Sequence, residues 1–473
     1  MKINGIRNER PFYYFEEISK IPRGSGNEGK IASYIENFAR ERGLFCYRDE
    51  WNNVFIRKNA SNGRENENAV MLQAHTDMVC EQNIGNNHNF LADEIELIQE
   101  GNILRANNTT LGADDGFGVA IMLAVLENDE ISCPPLEFLF TSSEEIGLVG
   151  ATKFDYSAVS AKEMINLDSA EENTVIIGCC GGMRTDLEMA AKHQKTDTPS
   201  YKISIKGLVG GHSGEDIDRG RLNAHILMGK VLKSIKSEID FTISHLEGGD
   251  KDNAIPRECE AVICTNQDIT VPFENARKLA LSEVKAKEDA LLTVTFENVK
   301  CDTTLTKDDT DRLLEILSIP NAVLEYRNVA PIMPSISRNL ARIRTEDTKI
   351  KVGFSSRAYT AHDIQKSTDE IEALAKNVGA SFYHHEGYPS WQDEANSPLV
   401  LKYQSAYNEA TGRKTEPTLI HAGLECGVIT SRVSGLSAIS VGANVHDLHT
   451  PKETMEIDSM DRIYDTVIKF LSK

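Results

Sequence analysis

Residues 136–150 read LEFLFTSSEEIGLVG. The first five residues are almost continuously apolar, which is typical of a strand that is buried on both faces of a sheet. Polar residues follow at once, and two of them, Glu144 and Glu145, are adjacent carboxylates. Two like charges beside a hydrophobic core are unfavourable unless something compensates them. The stretch therefore predicts a buried strand whose carboxyl end carries a compensated pair of acidic groups.

Three other short apolar runs have the same character. They are AVMLQA (69–74), MINL (164–167) and AISV (438–441). A further segment, GVAIMLAVLEN (118–128), follows a glycine-rich turn and is predicted to be a helix, as is the stretch over 11–42. Helices that alternate with continuous apolar strands predict an α/β fold with a mixed sheet covered on both faces.

The middle of the chain differs in composition and in hydrophobic pattern. Residues 186–385 are more polar, and segments such as YKISIKGLVGG and ALLTVTFEN have the pattern of strands with one solvated face. Amphipathic helices, among them 223–237, alternate with these strands. We therefore expect a catalytic domain built from residues 1–185 and 386–473, with an α+β domain, residues 186–385, inserted into it.

The bulk composition excludes several classes of partner. The 473 residues suggest at least two domains, and 51 basic against 72 acidic residues leave a net charge of −21. Nucleic-acid binding needs a basic surface, which the sequence lacks. Nine cysteines without CxxC spacing, no apolar leader and no run of membrane-spanning length predict a cytoplasmic protein with reduced thiols and no membrane partner.

The first chemical motif follows AVMLQA. His75 and Asp77 are two residues apart in extended chain, so both side chains project to the same side. A carboxylate that holds the second nitrogen of a metal-binding imidazole fixes its tautomer. By itself the pair is also compatible with a surface turn, or with a buried histidine that is fully hydrogen-bonded in the core.

A second motif is LGADDGFG (111–118), with Asp114 and Asp115 before the predicted helix. Aspartate is favoured at a helix N-terminus by capping and by the helix dipole, so the motif alone leaves that alternative open. Further along, Asp168 follows MINL directly, and His446 and His449 follow AISVGAN.

The motifs agree with one another in position. Several strand candidates end, at the carboxyl side, in histidine or carboxylate, and in open α/β sheets ligands bind at that edge. Imidazole and carboxylate ligands without cysteine suit zinc, manganese or cobalt, and a bridging carboxylate gives a two-metal site. One glutamate of the pair would then ligate a metal and the other would take a proton from water, which predicts metal-assisted hydrolysis.

With these motifs in order, the sequence resembles the aminoacyl-histidine dipeptidase family (peptidase D, Xaa-His dipeptidase) of co-catalytic zinc peptidases. The stretches that carry the resemblance span about residues 5–465. They are QAHTDMV, LGADDGFG, TSSEEIGLVGA, INLDSAEE, HDLHTPKE, GCCGG, GLVGGHSGEDI, DNAIPRE, EGYPSWQDEANSPL and IHAGLECGVI.

The resemblance implies a role for each matching position. Two zinc ions per chain, replaceable by cobalt or manganese, are implied, one on His75 and Asp168 and the other on Glu145 and His449. Asp114 would bridge them, with a cis peptide bond to its successor. The resemblance favours His449 over His446, because relatives carry His followed by Ser/Thr-Pro. Asp77 would orient His75, and Glu144 would be the general base.

The resemblance also implies substrate-binding residues in the inserted domain, which would close as a lid. His212 would polarise the substrate carbonyl, and Asn253 and Arg357 would bind the substrate backbone and its carboxylate. The alternatives from residue chemistry alone are a phosphate loop at GLVGGHSG and a surface ion pair at Arg357.

The resemblance implies a metal-dependent dipeptidase that hydrolyses small unblocked peptides, with Xaa-His dipeptides such as β-alanyl-histidine as substrates. A tripeptide aminopeptidase, a carboxypeptidase or an N-acyl amino acid deacylase would use the same metal chemistry. A non-catalytic homologue that binds peptide or metal is a third alternative. A monomer and a homodimer, with His212 acting in its own or a partner's site, both remain open.

Overall fold

A computed structural model describes residues 3–327 and 333–473, apart from the side chain of Glu288. The helices of this part of the chain are α1 (Glu9–Ser19), α2 (Gly29–Glu41), α3 (Ala113–Glu127), α4 (Val149–Lys153), α5 (Ala224–Lys236), α6 (Thr270–Ser282), α7 (Lys307–Ile316), α8 (Ala361–Asn377), α9 (Pro398–Thr411), α10 (Glu425–Arg432) and α11 (Ile457–Leu471).

The strands, in chain order, are β1 (Phe45–Arg48), β2 (Val54–Lys58), β3 (Val70–His75), β4 (Leu97–Glu100), β5 (Ile103–Ala106), β6 (Leu136–Thr141), β7 (Glu163–Asn166), β8 (Thr174–Cys179), β9 (Gly181–Ala190), β10 (His193–Lys195), β11 (Ser200–Lys206), β12 (Gly211–His212), β13 (Thr242–Gly248), β14 (Ala254–Ile255), β15 (Cys259–Cys264), β16 (Thr293–Val299), β17 (Thr303–Leu305), β18 (Ala322–Tyr326), β19 (Pro334–Thr345), β20 (Lys349–Ala358), β21 (Ala380–His384), β22 (Trp391–Gln392), β23 (Glu416–Ile420), β24 (Ser437–Ser440), β25 (Val445–His446) and β26 (Thr454–Glu456).

The four apolar runs of the sequence become neighbouring strands. Every residue of β3 and β6 is buried, and most of these residues are apolar. β3 pairs in parallel with β6 on one side and with β7 on the other, and β24 continues the sheet in parallel beside β7. β2 and β8 join antiparallel at the two sides of this group. The predicted α/β fold with a mixed sheet is therefore confirmed.

Helix α3 packs against this sheet. Its segment 119–126 is buried on all sides, as expected for a helix without a polar face, and it lies against α1 and β3. The predicted single helical stretch over 11–42 is wrong in one respect. It forms two helices, α1 and α2, because Pro22, Gly24 and Gly26 interrupt the helical pattern between them.

The first turn of α3 is irregular. Asp114 and Asp115 have non-helical backbone angles, and the peptide bond between them is cis, as the family resemblance implied. Gly112, which precedes them, adopts a left-handed conformation at φ 68°. Asp115 caps the helix, since its carboxylate accepts the N–H of Gly118 at 3.2 Å and also the N–H of His75. Asp114 instead directs its Oδ1 to the ring of His75.

The middle of the chain forms an antiparallel sheet. Its strand order is β16-β11-β15-β13-β19-β20-β9-β21, with β18 paired to β19. Buried apolar residues of α5, α6, α7 and α8 share one hydrophobic core with this sheet. The predicted helix over 223–237 is α5, whose N-cap Asn223 accepts hydrogen bonds from the N–H groups of His225 and Ile226.

The chain divides into two units. One comprises residues 1–179, 391–419 and 424–473, and the other comprises 180–390 and 420–423. The predicted insertion, 186–385, lies inside the second unit. The second unit begins earlier because β9 starts at Gly181 and pairs along its length with β20. In the ranges that the structure describes, no helix combines the length and apolarity needed to cross a membrane.

Candidate metal centre

Strand ends and two loops of the first unit bring the predicted ligands together. β3 ends at His75, Glu145 follows the end of β6, and Asp168 follows the end of β7. Because these three strands are parallel neighbours, their carboxyl ends lie at one edge of the sheet. The start of α3 contributes Asp114, and the loop between β25 and β26 contributes His449.

Asp114 lies between the two histidines. Its Oδ1 is 3.0 Å from Nε2 of His75, and its Oδ2 is 3.0 Å from Nε2 of His449. Each imidazole also approaches a second carboxylate: Oδ1 of Asp168 is 3.6 Å from His75, and Oε1 of Glu145 is 3.0 Å from His449. The arrangement has two halves, each with one imidazole and one terminal carboxylate, joined by a shared carboxylate.

These distances fit a metal site. Ligand atoms that lie 2.0–2.1 Å from a tetrahedral ion are about 3.3 Å from one another. The four distances, from 3.0 to 3.6 Å, bracket that value. His75, Asp114 and Glu145 form one group able to hold an ion, and His75, Asp115 and Asp168 form another. The donor set is nitrogen and oxygen only, as zinc, manganese and cobalt accept.

The charge of the cluster calls for a cation. Burial raises the pKa of Asp168 to about 6, since its hydrogen bond to His75 only partly offsets desolvation and neighbouring carboxylates. Burial alone would lower the pKa of His449, but its hydrogen bonds to Asp114 and Glu145 raise it to about 11. Both shifts arise because carboxylates and imidazoles are crowded into one cluster, where a cation would offset the repulsion among the carboxylates.

Asp77 is fully buried and has three kinds of partner. Its Oδ1 lies 3.4 Å from Nδ1 of His75, which is the relation predicted from the His-x-Asp spacing. The same carboxylate accepts the backbone N–H groups of Glu144 and Glu145, and the hydroxyl of Ser25. Asp77 thus connects the end of β3 to the turn that carries the glutamate pair.

Glu144 and Glu145 are in different surroundings. Glu145 contacts His449, whereas no carboxylate oxygen of Glu144 lies against either histidine among the described contacts. Burial raises the pKa of Glu144 well above its ordinary value, and the neighbouring carboxylates Glu145 and Asp168 raise it further, against an opposing effect of His75. A carboxyl group with a raised pKa in such a site is suited to exchange protons.

The structure separates the two C-terminal histidines. Both are exposed, but their partners differ, and His446 lies 3.2 Å from Glu456. His449, in a left-handed backbone conformation at φ 61°, directs Nε2 to Asp114 and Glu145. Spacing alone left both residues open, and the geometry places only His449 in the cluster.

Glu453 is a residue that sequence reasoning missed. Its buried carboxylate accepts four backbone N–H groups: Oε2 from Leu111 and Gly112, and Oε1 from Ala113 and Asp114. It therefore joins the loop of His449 to the loop of Asp114. The signal was present in HTPKE, which contains both His449 and Glu453, but nothing in the sequence indicated the partner segment.

Two more buried charged residues near the strand ends were missed. Arg23 donates hydrogen bonds to the carbonyl oxygens of Thr76, Asp77 and Gly112. Glu425, the first residue of α10, accepts hydrogen bonds from Gln73 on β3 and Thr141 on β6, the latter at 2.6 Å. Neither residue stood out in the sequence. Arg23 lies outside the quoted motifs, and Glu425 lies in IHAGLECGVI, which indicated the family but no role for this residue.

The three predicted substrate-binding residues all belong to the second unit. Nη2 of Arg357 is 3.3 Å from Nε2 of His212, and Nη1 donates to the hydroxyl of Tyr388 at 2.6 Å. The carbonyl oxygen of Asn253 accepts the N–H of Ser213 at 2.8 Å. Arg357 is buried, so the alternative of a surface ion pair is wrong for this residue.

A mixed α/β sheet with imidazole and carboxylate ligands at the carboxyl ends of its parallel strands defines a metal-dependent hydrolase. The family model described as Peptidase family M20/M25/M40 matches residues 71–473, so the chain belongs to this family of metal-dependent peptidases.

Two proteins at 32% identity are similar over nearly the whole chain. One is the cytosol non-specific dipeptidase of Escherichia coli (strain K12), with 97% of this chain and 96% of the relative aligned. The other is the solved structure of aminoacylhistidine dipeptidase from Vibrio alginolyticus, with a TM-score of 0.83, covering 100% of this chain and 98% of that one. The predicted family resemblance and the prediction of a metallopeptidase are confirmed.

A more distant solved structure, a tripeptidase from Staphylococcus aureus subsp. aureus mu50, shares the fold alone. It is 17% identical, has a TM-score of 0.57, and covers 99% of this chain and 98% of that one.

Proposed function

We propose that this chain is a two-metal dipeptidase that hydrolyses unblocked dipeptides, Xaa-His dipeptides among them. The observation that carries the proposal is the position of Asp114, whose two carboxylate oxygens face two separate imidazoles, each beside a second carboxylate. That arrangement is the one a pair of co-catalytic ions requires.

The substrate class rests on the relatives. Both 32%-identical proteins are named as dipeptidases, one as a non-specific dipeptidase and the other as an aminoacylhistidine dipeptidase. We infer dipeptides as the common class and C-terminal histidine as a favoured residue within it.

The ligands would be divided between two ions. His75 and Asp168 would hold one, Glu145 and His449 the other, and Asp114 would bridge them. Zinc is the ion we propose, with cobalt and manganese as substitutes. When bound, the two ions would lower the pKa of a coordinated water and polarise the scissile carbonyl.

The remaining groups act on protons and orientation. Glu144 accepts a proton from the attacking water and returns it to the leaving amine, which its raised pKa favours. Asp77 keeps His75 in the tautomer that presents Nε2, because its Oδ1 lies 3.4 Å from Nδ1. Of the second unit, we propose His212 as the donor to the carbonyl oxygen, and Asn253 and Arg357 for the substrate backbone and carboxylate.

The test is a substrate panel with zinc-loaded protein. It contains Xaa-His dipeptides, other dipeptides, tripeptides and N-acetyl amino acids, each with and without a chelator, and free amino acids are measured. We expect chelator-sensitive cleavage of dipeptides only, fastest when the C-terminal residue is histidine.

Other outcomes would replace the proposal. Cleavage of tripeptides or of N-acetyl amino acids would retain the metal chemistry and move the chain to the aminopeptidases, carboxypeptidases or deacylases. Two bound metals without any cleavage would identify a non-catalytic homologue.

The cellular location and the oligomeric state of the enzyme are also proposals. The E. coli relative is named as a cytosol protein, which supports a cytoplasmic location for this chain. A homodimer remains a prediction, which sedimentation velocity would test.

A further inference from the structure

Two cysteines of the second unit lie against each other. Sγ of Cys264 is 3.2 Å from Sγ of Cys301, although both residues are free thiols. A disulfide needs about 2.05 Å, so the two sulfur atoms would have to approach by only about 1.2 Å. Neither residue belongs to a stretch that carries the family resemblance.

The sheet explains why these two residues meet. Cys264 is the last residue of β15, and its partner across the antiparallel pair is Ser200, the first residue of β11. On its other side Ser200 pairs with Val299, the last residue of β16. Cys301 follows two residues later, beyond the paired part of β16. Both sulfurs therefore reach the end of β11 from opposite sides.

Ser200 forms part of the same cluster. Its hydroxyl is 2.9 Å from Sγ of Cys301 and 3.6 Å from Sγ of Cys264. The hydroxyl donates its hydrogen bond to the carbonyl oxygen of Thr198 at 3.0 Å, so it faces the two sulfur atoms as an acceptor. Ser200 thus lies between the two thiols, where its hydroxyl can accept a hydrogen bond from either of them.

The two cysteines differ in exposure. Cys264 is 3% exposed, whereas Cys301 is partly exposed. Burial raises the pKa of the Cys264 thiol to about 11, which keeps it protonated. A solvent oxidant would therefore meet Cys301 first, and Cys264 would be the second thiol to react.

We propose that Cys264 and Cys301 form a reversible intramolecular disulfide when the protein meets a peroxide. The Cys301 thiolate attacks one peroxide oxygen, the O–O bond breaks, and a sulfenic acid and water form once the leaving hydroxide is protonated. The sulfur of Cys264 then attacks the sulfenic sulfur, loses its proton and releases a second water. Two thiols are oxidised by two electrons, and the peroxide is reduced to two waters. A low-molecular-weight thiol reverses the bond by exchange.

The disulfide would stabilise an edge of the antiparallel sheet. β16 is the outermost strand beside β11, and the segment from 264 to 301 also contains α6. A crosslink at the end of β16 would restrict opening of this edge strand. This modification site does not rest on the peptidase chemistry proposed above, because none of its residues is a proposed metal ligand, general base or substrate-binding residue.

The experiment uses the full chain with dilute hydrogen peroxide, quenched with catalase, followed by thiol counting in denaturant. We expect the nine free thiols of the reduced protein to fall to seven, and unreduced peptide mapping to join the Cys264 and Cys301 peptides. Hydrogen exchange in β16 should slow in the oxidised protein, and dithiothreitol should restore all nine thiols.

Variants distinguish this pair from general oxidation. In Cys264→Ala, oxidation should end at a sulfenic acid on Cys301, which dimedone would trap. In Cys301→Ala, the thiol of Cys264 should remain reduced. Cys259→Ala is the matched control, since Cys259 is a buried cysteine on the same strand, and it should still form the bond. Retention of nine thiols in the treated wild type, a crosslink between other cysteines, or loss of the bond in Cys259→Ala would overturn the proposal.

Discussion

At the scale of single residues, Glu144 and Glu145 are adjacent in sequence but differ in their contacts. Glu145 lies 3.0 Å from His449, while Glu144, which is half-buried, has no such contact among the described residues. The backbone turn after β6, with Ser143 at φ 52°, lets the two side chains diverge. The pair can therefore divide the work between metal binding and proton transfer.

Glu144→Gln should lower kcat by about 100-fold or more, because an amide cannot accept the proton of the attacking water. It should keep its metal, since Glu144 is not among the groups that contact a histidine. The measurement is kcat together with metal content by mass spectrometry. Glu145→Gln is the matched control and should lose metal. A near-normal kcat in Glu144→Gln with full metal content would show that another group is the base.

Glu453→Gln should weaken zinc binding by about 10- to 100-fold, since outer-shell partners of metal ligands have effects of this size. In the wild type the carboxylate of Glu453 accepts backbone N–H groups of the Asp114 loop. The NH₂ group of a glutamine cannot accept them, so the substitution would displace this loop. Zinc titration with a competing chelator measures the affinity. Glu456→Gln, three residues away and outside this contact, should bind zinc normally. Equal affinity in both variants would refute a positioning role for Glu453.

At the scale of elements, α10 is connected to the sheet through one buried carboxyl. Glu425 accepts hydrogen bonds from Gln73 on β3 and Thr141 on β6, and Gln73 in turn accepts one from Asn166 on β7. The network lies directly before the strand ends that carry the candidate ligands. Burial raises the pKa of Glu425 to about 7.

This shift predicts how stability depends on pH in the metal-free protein. The pKa of Glu425 is higher in the folded chain, about 7, than the ordinary 4.5. The folded state therefore gains stability from this proton below pH 4.5 and loses it as pH rises through 7, by up to about 3 kcal/mol. Glu425→Gln lacks the titration. Relative to wild type, it should become progressively more stable between pH 5 and pH 8.

Urea unfolding in a chelator at several pH values measures this difference. Glu416→Gln, at an exposed carboxylate, is the control and should follow the wild type at each pH. Parallel curves for Glu425→Gln and wild type would contradict the prediction.

At the scale of the whole molecule, every candidate metal ligand belongs to the first unit. Binding to the folded state alone stabilises it by about 2.7 kcal/mol when free zinc is 100 times Kd. Zinc should therefore slow hydrogen exchange at the carboxyl ends of β3 and β6 and at the start of α3. Exchange in β11, β15 and β16 should stay unchanged. The measurement compares zinc-loaded with chelator-treated protein by mass spectrometry, and equal protection of both regions would contradict it.

The sequence by itself determined much of the first unit. The runs that became β3, β6, β7 and β24 can be recognised from the local sequence, because burial on both faces favours apolar residues at most positions of a strand. The polar residues that follow these runs can also be recognised from the local sequence. Since parallel strands end at one edge, the convergence of His75, Glu145 and Asp168 followed from fold class alone.

Only the tertiary structure decided which distant residues complete the site. His449 and Asp114 are 335 residues apart, and Glu453 accepts the N–H of Leu111 from 342 residues away. The contact between Cys264 and Cys301 likewise depends on the pairing of β11 with two other strands. Local patterns report burial and chain direction, whereas contacts across such separations depend on how packed elements bring loops together, which no short stretch of sequence encodes.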